Sequence, residues 1–305
     1  MQVLTIDTEY LRPRMDASHL LIADGRAAFV DTGTYFSVPH LLAALADNGL
    51  STEAVDYIFL THIHLDHAGG VGRLAAALPG AAVVVHPRGA PHLADPSKLI
   101  AATKAVYGDR VFERLYGELS PVAESRLIAA EDGRGFVLGS ERLEFIHTPG
   151  HALHHGCYVD PAGGAAFTGD TFGISYRELD TGAGEFIFPT TTPTQFDPGQ
   201  LHASIDRVLA TEPRLVYLTH YGPVQATPRL GDDLHADIDA FVAIARGAAS
   251  MPERASAIAR GLWAHLSRRL DAHGYRGDEA QRHAVLDDDV RLNAAGLDAW
   301  LARAA

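Results

Sequence analysis

The stretch Thr61-His-Ile-His-Leu-Asp-His67 decides how this chain is read, because it sets His62, His64, Asp66 and His67 within six residues, directly after an apolar run at 55–60. In an extended segment the period-two spacing of His62 and His64 sends both imidazoles to one side, so the pair can reach a single ion. Asp66 and His67 are adjacent and would diverge in an extended chain. Their convergence on a second ion needs a turn or a helix start, and Gly69-Gly70 supplies backbone freedom for one. Imidazole and carboxylate are ligands that borderline divalent metals accept, with bonds of about 2.0–2.2 Å. A histidine-rich surface turn is the competing reading, and it does not explain so dense a set of ligands at the end of a buried strand. One segment cannot complete two coordination shells, so further ligands are expected at other strand ends.

Three candidates occur downstream: His151 in Thr148-Pro-Gly-His151, Asp170 in Thr168-Gly-Asp-Thr171, and His220 in Leu218-Thr-His-Tyr221. Each follows an apolar run and sits among small or turn-forming residues that let a side chain project from a strand end. Taken alone, each has an ordinary explanation as a hydrogen-bonded histidine or a Gly-Asp turn.

Around these motifs the chain alternates strand and helix patterns. Residues 19–23 and 27–30 flank Asp24-Gly25 and read as a hairpin ending at Asp31-Thr-Gly33. A helical pattern over 39–48 stops at Gly49, and a strand at 55–60 leads into the histidine cluster. Residues 71–78 read as a helix and 81–85 as a strand; 143–147, 156–159, 165–168 and 215–219 read as strands, and 198–210 as a helix. Such interleaving implies sheets covered by helices. The Gly, Thr and Pro-rich stretch from 172 to 198, including Pro189-Thr-Thr-Thr-Pro-Thr194, suggests a loop beside the site. Helical spacing dominates beyond Gly231, dividing the chain into residues 1–230, which carry the motifs, and a helical appendage at 231–305. No internal repeat stands out.

Composition narrows the class. A chain of 305 residues, 47% hydrophobic and 21% charged, can bury a substantial core. Its formal net charge of −13 denies the chain as a whole the basic footprint of a phosphate-backbone binder. The arginines between Arg254 and Arg269 leave a local basic groove open. The single Cys157 excludes an intramolecular disulfide and a multi-cysteine zinc site, and its setting reads as a small buried strand residue. Neither a basic leader with an apolar stretch nor an apolar run of about 18 residues occurs, so a cytoplasmic location without membrane association is expected. The expected partner is a small-molecule substrate, nucleic acid is not expected, and a homo-oligomer stays open.

Taken together and in this order, Thr61-His-Ile-His-Leu-Asp-His67, Thr148-Pro-Gly-His151, Gly169-Asp170 and Thr219-His220 resemble the metallo-β-lactamase-fold superfamily over roughly residues 20–225. The resemblance implies an α/β fold, the αββα sandwich, with the site at one edge between two sheets. It implies one ion held by His62, His64 and His151, a second held by Asp66, His67 and His220, and Asp170 bridging them. The bridging carboxylate resembles the glyoxalase II and lactonase branches. Asp31 matches a position near the metal site in such proteins, which leaves it either orienting a ligand or ending a strand. His154 and His155 have no metal role in the family pattern and read as polar loop residues. Phe172, Tyr176, Arg177 and Tyr221 are candidate substrate contacts.

Two divalent ions, zinc foremost with iron or manganese as alternatives, can share a water, lower its pKa and present hydroxide to an electrophile. Asp66 is the candidate catalytic residue, orienting the nucleophile or shuttling a proton. Hydrolysis of a small-molecule ester, lactone or thioester is the leading reading, because the acidic balance disfavours polyanions. A di-iron redox or oxygen-binding protein of the same fold is the first alternative. A nuclease or phosphodiesterase is the second.

Overall fold

The structure, a computed structural model, describes residues 1–191 and 195–304. Its first sheet contains β1 (Gln2–Asp7), β2 (Ala17–Ala23), β3 (Arg26–Val30), β4 (Val55–Phe59), β5 (Ala82–Val85) and β6 (Leu127–Ala129), in that order from edge to edge. The first three strands pair antiparallel and the rest parallel. Helices α1 (Val38–Asp47), α2 (Leu65–Ala68), α3 (Val71–Ala77), α4 (Ala90–Ala94), α5 (Ser97–Tyr107) and α6 (Asp109–Tyr116) belong to this half. The second sheet contains β7 (Gly135–Leu138), β8 (Glu141–His147), β9 (Gly156–Asp160), β10 (Ala165–Gly169), β11 (Leu215–Leu218) and β12 (Gly222–Gln225), ordered β12-β11-β10-β9-β8-β7. Within it β10 and β11 run parallel.

Side chains alternate between the faces of a strand, and here both faces are apolar because each sheet is covered on both sides. Val83 and Val85 of β5 face outward with Leu41, Leu45 and Leu74 of the covering helices, whereas Val84 faces the other sheet. Ala28, Val30 and Phe59 point the same way as Val84 and meet Phe145, Tyr158 and Phe167 of the second sheet. Tyr158 carries a hydroxyl into this apolar layer and donates it to the carbonyls of Leu60 (3.1 Å) and Val84 (3.2 Å), so the buried polar group is satisfied and the sheets are tied together. The architecture is the helix–sheet–sheet–helix sandwich that the motifs imply.

Outside the second sheet, Cys157, Val159, Ala166 and Val216 pack with α7 (Pro198–Leu209). The same cluster takes in α8 (Pro228–Gly247), α9 (Arg254–Ala272) and α10 (Glu279–Ala304). Along α9, Ile258, Leu262, Leu266 and Leu270 recur every fourth position and are fully buried. The helical region starts at Pro228 rather than 231, since proline suits a first helical turn whose amides lack intrahelical acceptors. Residues 172–191 do not form a loose loop: Phe172, Ile174, Phe186 and Phe188 enter this cluster, and Ile174 bridges to Phe188. Thr192, Pro193 and Thr194 of that stretch lie outside the described residues. Among the described residues, no helix is long and apolar enough to cross a membrane.

Candidate metal centre

The strand ends that carry the candidate ligands open onto one edge of the sandwich. His62 and His64 follow β4, and Asp66 and His67 lie in α2, the helix start that their adjacency requires. His151 follows β8, Asp170 follows β10 and His220 follows β11. The structure brings all of them together as two groups, His62, His64, His151 and Asp170 in one, Asp66, His67 and His220 in the other. His64 Nδ1 is 2.7 Å from His62 Nε2 and 3.0 Å from His151 Nε2. Asp170 reaches both groups: its Oδ2 is 3.3 Å from His151 Nε2, and its Oδ1 is 3.0 Å from His67 Nε2 and 3.5 Å from His220 Nε2. Asp66 Oδ2 lies 3.9 Å from His67 Nε2 and 3.8 Å from His220 Nε2.

Behind these atoms a buried network decides where the ring hydrogens lie. Asp31, at φ 57° just past β3, accepts the Thr61 amide (2.8 Å), the Thr61 hydroxyl (2.9 Å), the Thr219 hydroxyl (3.0 Å) and His67 Nδ1–H (2.8 Å). With its hydrogen committed to Asp31, the Thr61 oxygen accepts from His62 Nδ1–H at 3.1 Å. Nε2 of His62 therefore faces the groups as a bare lone pair, while Asp31 fixes the orientation of the His67 ring and points its Nε2 at them.

Two further residues join the network that sequence reasoning did not place there. Asp16, fully buried just before β2, sets its Oδ1 2.6 Å from His220 Nδ1. No spacing rule points to it, because it lies far from every motif in sequence. His155 is fully buried instead of a polar loop residue. Its Nε2 accepts the Asp170 amide (3.2 Å), and its Nδ1 lies 3.0 Å from the hydroxyls of Thr148 and Thr171. Gly169 fits this packing at φ 48°, since a Cβ there would collide with Thr61 and His155. The His154 ring lies 5.6 Å from that of His64.

Electrostatics separate the groups. Burial, reinforced by neighbouring imidazoles, holds His62 and His64 well below the ordinary histidine value, and burial takes His151 down to about 4. Those rings are neutral lone-pair donors. For His67, burial acts downward, but the Asp170, Asp66 and Asp31 carboxylates outweigh it and raise the ring well above its usual value. Burial is likewise outweighed at His220, where Asp16 and Asp170 raise the ring to about 10. Asp170 is held well below the carboxylate range, since His67, His151 and His220 outweigh its burial. Burial pushes Asp66 up to about 6, against the pull of His67.

This donor set, imidazoles and carboxylates without thiolate, suits borderline divalent ions. His67 Nε2 and Asp170 Oδ1 are buried and face each other at 3.0 Å, at the junction of the two groups.

The candidate substrate contacts fare differently. Phe172 and Tyr176 are fully buried in the core, out of reach of a ligand. The Tyr176 hydroxyl donates to Asp289 of α10 at 3.3 Å, and the Arg12 guanidinium covers its ring at 4.3 Å. Arg177 donates to the Ser175 carbonyl at 2.8 Å and pairs with Asp180 at 3.3 Å, while Tyr221 packs half-buried against the helical cluster. A cavity of about 400 Å³ lies instead along the loop that carries Asp16, lined by Tyr10, Leu11, Thr34, Phe36, Arg114 and Leu115 among others.

Comparison with known proteins places the chain. The model of the metallo-beta-lactamase superfamily matches residues 11–220. The metallo-beta-lactamase fold-containing protein ST1585 of Sulfurisphaera tokodaii is 30% identical over 217 residues, 67% of this chain and 78% of that one. The solved structure of ST1585, from Sulfolobus tokodaii, superposes with a TM-score of 0.67 at 22% identity over 97% of each chain. A hydroxyacylglutathione hydrolase of Acidiphilium cryptum is 28% identical over 283 residues, 90% of this chain and 89% of its own. TTHA1623, solved in a di-iron-bound form, superposes with a TM-score of 0.51 at 25% identity, covering 69% of this chain and 90% of that one. With the sandwich fold, the converging His/Asp groups and these matches in agreement, the chain belongs to the metallo-beta-lactamase superfamily.

Proposed function

We propose that the protein is a metal-dependent hydrolase that holds two divalent ions and cleaves a small-molecule ester, lactone or thioester. The observation that carries this reading is the placement of Asp170, with one oxygen beside His151 and the other beside His67. His62, His64 and His151 hold one ion, Asp66, His67 and His220 hold the other, and Asp170 joins them, with zinc the expected metal and iron or manganese the alternatives. When bound, such ions polarise a carbonyl and lower the pKa of water toward neutrality. Asp31 and Asp16 orient His67 and His220 from behind. Asp66, beside His67 and His220, is the residue placed to orient the nucleophile or shuttle a proton. Catalysis is assigned to residues 1–230, with the helices beyond 231 bracing the second sheet. Relatives named hydroxyacylglutathione hydrolases support hydrolysis as the reaction class.

The test is a screen of chelator-stripped and metal-reconstituted protein against esters, lactones and thioesters. Activity that vanishes on stripping and returns with metal is expected; a fully loaded protein inert toward all of these classes overturns the reading. A di-iron redox protein is the second reading, favoured by the di-iron form of TTHA1623. Metal analysis of protein purified without added metal separates the two, since a colourless, zinc-only protein removes the iron reading.

A further inference from the structure

Away from the centre, α7 and α8 carry nearly the same pentapeptide, His202-Ala-Ser-Ile-Asp206 and His235-Ala-Asp-Ile-Asp239, a match too short to stand out as an internal repeat. An i, i+4 spacing stacks the His and Asp of each helix on one face. Ile205 and Ile238 are fully buried, which fixes the rotation of both helices and turns the His/Asp faces toward each other at the surface. Their contacts cross: His202 Nε2 is 3.3 Å from Asp239 Oδ1, and His235 Nε2 is 3.0 Å from Asp206 Oδ1. The rings lie nearly coplanar and edge to edge, 4.9 Å between centroids, with their Nδ1 atoms pointing at each other 2.6 Å apart.

Two neutral imidazoles bring two hydrogens to three contacts. If each Nε2–H points at its carboxylate, the Nδ1 lone pairs face each other; moving one hydrogen to Nδ1 leaves a bare Nε2 against a carboxylate. A positive charge between the two Nδ1 atoms, a proton or a metal ion, resolves the conflict. A histidine whose far nitrogen is anchored on a carboxylate, with the near nitrogen bare, is the arrangement that metal-ligating histidines adopt. Both histidine side chains are 27% exposed, which leaves room for water to complete a coordination shell.

We propose that α7 and α8 form a second, peripheral site for a divalent transition-metal ion of the zinc, nickel or copper class, bound by Nδ1 of His202 and of His235. Asp206 and Asp239 orient the rings without touching the ion. Bonds of about 2.0–2.1 Å hold two nitrogens about 2.9 Å apart at a right angle and about 3.3–3.4 Å apart at the tetrahedral angle, so the rings need to part by about 0.3–0.8 Å and turn until both lone pairs meet the ion. The ion would clamp α8 to α7, the helix whose Ser204 hydroxyl donates to the Pro149 carbonyl (2.6 Å) just ahead of His151.

Equilibrium dialysis of the full chain against zinc tests this by counting ions. Wild type is expected to bind one ion more than His202→Asn/His235→Asn, and Asp170→Ala is expected to retain that extra ion, which separates this site from the proposed catalytic centre. Asp206→Asn/Asp239→Asn should keep the count and weaken that ion by about 10- to 100-fold. Should the double histidine variant fail to fold, the single His235→Gln, at a partly exposed position, serves in its place. Equal counts and equal affinities in wild type and the histidine variant overturn the proposal and leave a shared proton between the rings.

Discussion

Replacing Asp31 by Asn probes the network behind the centre with little change of shape. The amide is isosteric, and Asn tolerates the left-handed backbone at φ 57°, so the variant removes charge without adding strain. In the wild type one carboxylate gathers donors from Thr61, Thr219 and His67 at 2.8–3.0 Å. An amide oxygen accepts about half of them and turns an NH2 group toward the rest. Each hydrogen bond to a charged group contributes about 1.5–3 kcal/mol, so losing two should destabilise the metal-free protein by about 3–6 kcal/mol. The variant also removes the acceptor that keeps hydrogen on His67 Nδ1, allowing the ring to turn an N–H toward the metal group. Zinc affinity should then fall by about 10- to 100-fold. Chelator competition measures the second effect and urea unfolding of stripped protein the first. Wild-type affinity together with wild-type stability would refute the reasoning.

Three other perturbations follow from the same geometry. His155→Ala removes the acceptor of the Asp170 amide while leaving the proposed ligand set whole, so dialysis should find the same ion count with affinity reduced about tenfold; a lost ion would mean that His155 is itself a ligand. Gly150 sits at φ 128° against the backbone of Leu201, so Gly150→Ala must push α7 away from the His151 segment; a lower Tm and weaker metal binding are expected, and an unchanged Tm would show that the contact yields freely. His19, fully buried with Nε2–H donated to the Leu218 carbonyl (3.1 Å), is held down to about 4 by burial, against 6.5 in the unfolded chain. The unfolded chain binds the extra proton between those values, so His19's contribution is complete above pH 6.5 and falls by roughly 3 kcal/mol as pH drops toward 4. Urea midpoints across that window should flatten in His19→Gln; a parallel profile would remove His19 as a source of acid sensitivity.

The parts of the site that were legible in the sequence are those written in local spacing. His62 and His64 alternate along an extended segment and Asp66-His67 begins a helix, and both patterns sit within a few residues. His151, Asp170 and His220 carry no such spacing and became readable only as a set that resembles a family. Asp16 and the buried place of His155 could not be read at all, because a lone Asp before a strand and a His doublet in a turn look alike whether buried or solvated. The fold divides in the same way. Buried strands such as β4 and β5 announce themselves as apolar runs, whereas β1 and β12 are edge strands with mixed burial. Helices α4 to α6 are short and set apart by Pro96 and Gly108, so no long helical period marks the region in sequence. In Phe172 to Phe188 the glycines and threonines suggest a loop, yet its aromatic residues pack in the core without a regular period for the sequence to display.

The central claim, that seven side chains form a two-ion centre around Asp170, is tested most directly by anomalous diffraction from a crystal of the metal-loaded protein. The account predicts two peaks at this edge of the sandwich, one among His62, His64 and His151 and one among Asp66, His67 and His220, with Asp170 between them. A single peak there, or none, would contradict it.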